Sequence, residues 1–308
     1  MGRRFGALDV MLLAAAGSIG LVASSQSPVP DAQALQNQLR TQARTTLETI
    51  AQSVDGIMGY CIIDLATGER FERHATQIFP TASTIKLAIL YELVKRVDEG
   101  KLTLDDTVRL DRARAVPGGI LYELGTPVLS LRDYANVMII ESDNTATNVL
   151  VAHLGMDAIT ARMNQLGLAN TKLRRYMIDL AAARKGLENV STPAEIARLL
   201  EMFHKSDGLS AASQAEALRI LKKPKSSPIR AAVPDGIDVA TKTGELEGVR
   251  ADTGIVYAKN RPFVFVAMTT WLMDDDTGDQ AIEKLARVAY GYFARLGAGS
   301  DVGRQLNR

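Results

Sequence analysis

Two rhythms of apolar and polar positions run along this chain, and their order outlines a fold. Across residues 31–54, Leu35, Leu39, Ala43, Leu47, Ile50 and Val54 recur at helical spacing, which predicts an amphipathic helix ended by Gly56. Residues 57–65 form an apolar, β-prone run. Thr67-Gly68 supplies a turn and residues 70–74 return, so a hairpin is expected. Helical spacing then takes over at 83–99 (closed by Gly100), 131–141, 145–154, 157–166, 193–204 and 210–221. Thr192-Pro193 is a strong start signal, with threonine placed to cap and proline in the first turn. Strand character comes back at 237–243, 250–258 and 262–271, and a last helix is expected over 279–296. Strands at both ends and helices between them predict a sheet built from both termini with a helical insert. There are no internal repeats and no low-complexity linker.

The first residues follow neither rhythm. Arg3 and Arg4 precede an apolar run from Val10 to Val22, then Ala23-Ser24-Ser25 and a polar, proline-bearing stretch. Positive flank, short apolar core and small-residue exit are the features of an export signal. The run is short for a membrane-spanning helix, which needs about 20 apolar residues. Residues 1–25 are therefore expected to be a signal peptide, with an uncleaved anchor as the alternative. Residues 26–308 are expected to be one catalytic domain, periplasmic or secreted and monomeric. Its α/β part is placed at about 31–82 and 226–308, and its helical part at about 83–225.

Composition narrows the chemistry. A formal net charge of +1 gives no reason to expect nucleic acid as a partner, nor a membrane beyond the signal segment. Cys61 is the only cysteine, so an intramolecular disulfide is impossible, and His74, His153 and His204 lack ligand spacing. No metal or organic cofactor signature is present, and Asp274-Asp275-Asp276 reads as a solvated loop rather than a cation site.

Three short motifs carry reactive groups. Ser83-Thr84-Ile85-Lys86 stands where an irregular segment enters a helix. A serine there has a free backbone N–H and the helix dipole beside it, and Lys86 falls on the same helical face. A lysine whose basicity is lowered by burial or by a neighbouring cation can take the serine proton without any histidine. Ser142-Asp143-Asn144 lies between two predicted helices, and Lys242-Thr243-Gly244 at the end of a predicted strand. Taken singly, these read as a helix cap and a strand-end turn.

In this order and at these separations the motifs resemble the set that marks class A β-lactamases and penicillin-binding proteins. The likeness extends over residues 139–148 and 248–254 and covers roughly 31–296. It implies an α/β fold, with an antiparallel sheet flanked by N- and C-terminal helices plus an all-helical subdomain, and a cleft between the two parts. It further implies that Ser83 attacks a carbonyl while Lys86 and Ser142 move protons. Asn144 would hold a side-chain amide of the substrate. Lys242 and Thr243 would face its carboxylate, and the N–H groups of Ser83 and Glu245 would form an oxyanion hole. Arg250 is a candidate second carboxylate anchor.

The pattern departs from the family at one step. Where class A enzymes carry a deacylating glutamate, and an asparagine four residues on, this chain has Met177 and Ala181. A thioether cannot accept a proton at working pH. Asp179 and Glu188 are the candidate substitute bases, each with a structural alternative in pairing with Arg174, Arg175 or Arg184. The expected activity is acylation of Ser83 by β-lactams followed by slow hydrolysis. A penicillin-sensitive peptidase acting on peptidoglycan-like peptides, an esterase and a non-catalytic β-lactam-binding protein stand as alternatives.

Overall fold

The computed structural model of the chain describes residues 30–300 and 302–305, so the expected export signal lies outside the described residues. Helix α1 (Pro30–Gln52) leads into strand β1 (Ile57–Asp64) and its hairpin partner β2 (Arg70–Arg73). The two-residue strand β3 (Phe79–Pro80) enters a 3₁₀ turn, Ala82–Ile85, which continues as α2 (Lys86–Asp98). A ribbon of β4 (Thr107–Arg109) and β5 (Val128–Ser130) precedes α3 (Leu131–Ile140), α4 (Asn144–Leu154) and α5 (Met156–Gln165). After the short α6 (Leu180–Arg184), β6 (Val190–Ser191) pairs back on β3. Then come α7 (Pro193–Lys205), α8 (Ala211–Leu221), α9 (Pro228–Ala232), β7 (Val239–Leu246), β8 (Val249–Val256), β9 (Phe263–Thr270) and α10 (Asp275–Ala298).

The main sheet has the order β2-β1-β9-β8-β7, with every neighbouring pair antiparallel. Both ends of the chain therefore build it, as the strand pattern predicted. Strand geometry sends successive side chains to opposite faces, and here both faces are covered. Cys61, Ile63, Ala240, Ala251, Ile255, Val264, Val266 and Met268 face the helical part. Tyr60, Ile62, Val239, Val256, Phe263, Phe265 and Ala267 face the layer of α1 and α10, where Leu47, Ile282, Leu285 and Phe293 meet them. Burial on both sides explains why these strands read as continuous apolar runs. In the helical part α2 is central: every residue from Lys86 to Val94 is buried. A helix apolar all round can only be a core helix, and a lysine within it is therefore conspicuous.

Three boundaries differ from expectation. Strand β7 runs on to Leu246, which puts Lys242-Thr243-Gly244 inside it rather than at its end. Asp274 caps α10 through the N–H of Asp276, so the triple aspartate begins a helix instead of forming a solvated loop. Ser83 lies in the 3₁₀ turn, not in α-helix. The five-residue helices α6 and α9 had no counterpart in the pattern, because so few residues carry no measurable period. Thr192 caps α7 with Pro193 in its first turn, as read from the sequence.

Gly244 shows how tightly the parts meet. A Cβ there would lie 2.7 Å from the carbonyl oxygen of Thr81 and 3.1 Å from Ala82 Cβ. Gly291, on α10, has open space where its Cβ would be. Gly244→Ala is expected to destabilise the protein by about 1–3 kcal/mol through overpacking. Gly291→Ala should stabilise by about 0.5–1 kcal/mol through helix propensity. Urea midpoints of the two variants should shift in opposite directions, and a shift of the same sign would contradict this packing.

Candidate active site

The local chain path places Ser83 before any partner is considered. Thr81 is pinned by two bonds to Asn189 O, from its N–H (2.9 Å) and its hydroxyl (3.0 Å). Its own carbonyl accepts from the N–H (3.0 Å) and hydroxyl (2.8 Å) of Thr84. These anchors hold Ala82 at φ 46°, a left-handed conformation that costs a non-glycine residue about 1–3 kcal/mol. A 3₁₀ turn has about 3.0 residues per turn, so residues three apart eclipse. Lys86 thus sits directly over Ser83, with Nζ 2.9 Å from Ser83 Oγ.

A second left-handed residue faces them. Ser142, at φ 51°, bridges the end of α3 and the start of α4. The next residue, Asp143, is buried and caps α4, accepting from Ala146 N (2.7 Å) and from Leu121 N (2.8 Å). Asn144 donates from its side chain to Pro117 O (3.1 Å) and from its backbone to Gly118 O (3.0 Å). The motif is therefore clamped to the 116–121 loop, and its turn directs two oxygens of Ser142 at one amine. Lys86 Nζ is 2.6 Å from Ser142 O, 3.0 Å from Ser142 Oγ and 3.1 Å from Asn144 Oδ1. Lys242, on β7, completes the row. Its Nζ lies 3.0 Å from Ser142 Oγ and donates to Thr243 O at 2.8 Å.

The electrostatics follow from burial. Lys86 is fully buried and Lys242 is 1% exposed. Withdrawing an ammonium from water costs several kcal/mol, and this favours the neutral amine. Burial first, and then the charge of Lys242, hold Lys86 well below the ordinary lysine range, with Asp143 opposing. Burial likewise pulls Lys242 down to about 7, against the attraction of Asp252 and with help from Lys225. Asp252, behind the sheet, is pushed up to about 6 by burial, although Ile229 N (2.9 Å) and Thr253 N (2.9 Å) donate to it. A neutral amine touching two hydroxyls can accept a proton from one and pass it to the other.

Ser83, Ser142, Asn144, Thr243 and Glu245 line one cleft of about 520 Å³, a size that suits a small molecule. Three of the candidates lie elsewhere. Arg250 does not join the cleft: it bonds Asp275 (3.1 Å) and Asp279 (3.1 Å) on α10 and the carbonyls of Leu246 and Val249. Its register partner is cleft-lining Glu245, but the carboxylates of α10 hold its guanidinium. Asp179 caps α6 through Ala182 N, and Glu188 pairs with Arg175 at 2.8 Å. Both are engaged structurally, and neither lines the cleft. Met177 is 7% exposed, and Asn148 holds its backbone by accepting from its N–H (2.8 Å) and donating to its carbonyl (3.2 Å). Met177 and Asp179 border a smaller cavity of about 230 Å³. Sequence reasoning missed Gly118, Glu141 and Lys225, which also line the main cleft. The signal for Lys225 was the basic run Lys222-Lys223-Pro224-Lys225 just ahead of the Ser227-Pro228 helix start. Among the described residues, no group of three or more His, Cys, Asp or Glu could hold a metal ion.

Known proteins resemble this chain in sequence and fold. β-Lactamase PSE-4 of Pseudomonas aeruginosa is 26% identical over 233 residues, covering 74% of this chain and 81% of that protein. The crystal structure of a β-lactamase from Sphaerobacter thermophilus superposes with a TM-score of 0.74 at 30% identity, over 80% of this chain and 95% of that one. A variant of PBP-A with a leucine replaced by glutamate, solved as an acyl-enzyme complex with penicillin G, gives a TM-score of 0.76 at 27% identity, over 83% and 96%. The family model described as the β-lactamase enzyme family matches residues 42–293. With that match spanning most of its length, the chain belongs to the β-lactamase enzyme family, of the class A-like kind.

Proposed function

We propose that this protein is an exported serine hydrolase that β-lactams acylate at Ser83 and that releases the acyl group slowly. The observation that carries the reading is the row Ser83 Oγ, Lys86 Nζ, Ser142 Oγ, Lys242 Nζ, with successive atoms 2.9, 3.0 and 3.0 Å apart. Ser83 Oγ attacks the lactam carbonyl carbon while its proton moves to neutral Lys86. The tetrahedral oxyanion is received by the N–H groups of Ser83 and Glu245, each such donor contributing about 2.7–4 kcal/mol in measured cases. As the C–N bond breaks, Ser142 gives its proton to the leaving nitrogen and is replenished from Lys86. An ester on Ser83 results. Thr243 and charged Lys242 hold the substrate carboxylate, and Asn144 the side-chain amide. The penicillin acyl-enzyme of a 27% identical relative supports β-lactams as the class of acyl donor.

Hydrolysis of that ester needs a base for water. Met177 supplies none, and the engagements of Asp179 and Glu188 described above argue against either as a substitute. This favours the second reading, a penicillin-sensitive peptidase, over a fast β-lactamase. Export rests on the sequence of residues 1–25 alone.

Intact-protein mass spectrometry with excess benzylpenicillin tests the reading. The expected result is a lasting adduct on Ser83 with little product, and no adduct on Ser83→Ala. Rapid product with no lasting adduct would sink the slow-release half, and an unlabelled wild-type chain would sink the acylation half.

The pH dependence follows from the two lysines. Acylation requires Lys86 neutral and Lys242 charged. With Lys242 pulled down to about 7, its ammonium is present below that pH and lost above it. The second-order acylation rate for a carboxylate-bearing β-lactam should therefore fall above about pH 7, approaching tenfold per pH unit, while an uncharged ester is spared. Stopped-flow rates that keep rising to about pH 9 for both compounds would contradict this assignment.

A further inference from the structure

Helices α1 and α10 cover the face of the sheet turned away from the helical part. Between them they leave a groove of about 490 Å³, within the size range of small-molecule sites, and it shares no residue with the cleft. Its apolar lining comes from Leu39, Ala43 and Ile50 of α1 and from Val288 and Tyr292 of α10, with Ala43 and Tyr292 buried. Gly291, on α10, gives the groove its depth. Beyond its own helix backbone nothing lies within 4 Å of where its Cβ would be, so no packing requires a glycine there. A glycine inside a helix costs backbone entropy, and its effect here is an open floor. Leu39 and Arg295 also border an adjoining cavity of about 310 Å³ that reaches the exposed Leu35.

Charge stands on one wall only. Lys284, Arg287 and Arg295 line the groove from α10, Gln42 and Thr46 line it from α1, and among the described residues no carboxylate does. Neither Lys284 nor Arg295 has an ion pair or a side-chain hydrogen bond among the described residues. Arg287 bonds Glu283 at 2.5 Å, but the two side chains are 60% and 39% exposed, and an ion pair in solvent contributes little. From Lys284 to Arg295 the helix rises about 16 Å, so the cations border an elongated trough.

An apolar trough walled by unpaired cations is complementary to an alkyl chain with an anionic head. The head meets the cations, and the chain covers a floor otherwise left to water. That floor is recessed between two helices, which suits a single chain and keeps out the flat surface of a bilayer. We propose that the α1–α10 groove binds a single-chain anionic amphiphile of the fatty-acid class, its chain along Leu39, Ala43, Val288 and Gly291 and its head on the α10 cations. The site is separate from the acyl-transfer reading and stands whether or not Ser83 is acylated.

Calorimetry on the full-length chain, with laurate below its micelle concentration, tests the site. One laurate per chain is expected, and lauroyl glycerol, which has the same chain and no charge, should bind about tenfold or more weakly. Gly291→Leu puts a side chain into the open floor and should reduce laurate affinity by about tenfold or more. Lys284→Gln combined with Arg295→Gln should weaken laurate by about the same factor and spare lauroyl glycerol. Far-UV circular dichroism checks that the variants are folded; should Gly291→Leu fail to fold, the double glutamine variant decides alone. No binding of laurate to the wild type, or unchanged laurate affinity in either folded variant, would overturn the proposal. So would binding to phosphatidylglycerol vesicles without binding of laurate, which would make this face a membrane contact instead.

Discussion

One buried amine organises this molecule. Lys86 stands in the central helix, out of contact with water, and its nitrogen is touched by Ser83, Ser142 and Asn144. A charge in that position would cost several kcal/mol, so the surroundings must either neutralise it or strip its proton. They do the second: among the described residues no carboxylate hydrogen-bonds its nitrogen, and the charge of Lys242 adds to burial in lowering its basicity, with Asp143 opposing. The left-handed backbones of Ala82 and Ser142, the Asn189 anchor on Thr81 and the glycine at 244 all act to bring three separate chain segments to that nitrogen. Buried polar groups that are fully partnered are rigid, and a site made of them is set before substrate arrives.

The sheet and the helical part meet through this same amine. Lys242 comes from a strand whose first residues, Val239 and Ala240, pack the core, and its reach to Ser142 ties β7 to the α3–α4 turn. Stability and chemistry draw on the same contacts here. Substitutions at the junction consequently report on both, which is why an acid-to-ester ratio tells more than a rate alone.

Much of this could be read from the chain itself, for definable reasons. Long elements with a clean period, such as α1, α7 and the strands β1, β8 and β9, were visible because burial repeats over many residues. The three motifs were visible because reactive side chains are rare combinations at fixed order. Arg250 was legible as a strand residue close behind the third motif, but its pairing with Asp275 and Asp279 depends on where α10 packs, which no motif encodes. Asp179 and Glu188 were carboxylates in the right stretch, but their partners, Ala182 N and Arg175, are decided by a loop path that no periodicity encodes. Lys225 was overlooked for the converse reason: a basic run beside a proline looks like solvated surface until the fold turns it into a cleft wall.

The loop carrying Met177 is held in a way that bears on how such enzymes diverge. Asn148 grips the backbone N–H and carbonyl of residue 177, and its grip is indifferent to the side chain there. The path of the loop and the identity of the residue are thus uncoupled. Selection can alter the side chain at this point without having to re-lay the loop, and lineages that trap an acyl group and lineages that release it can share one scaffold.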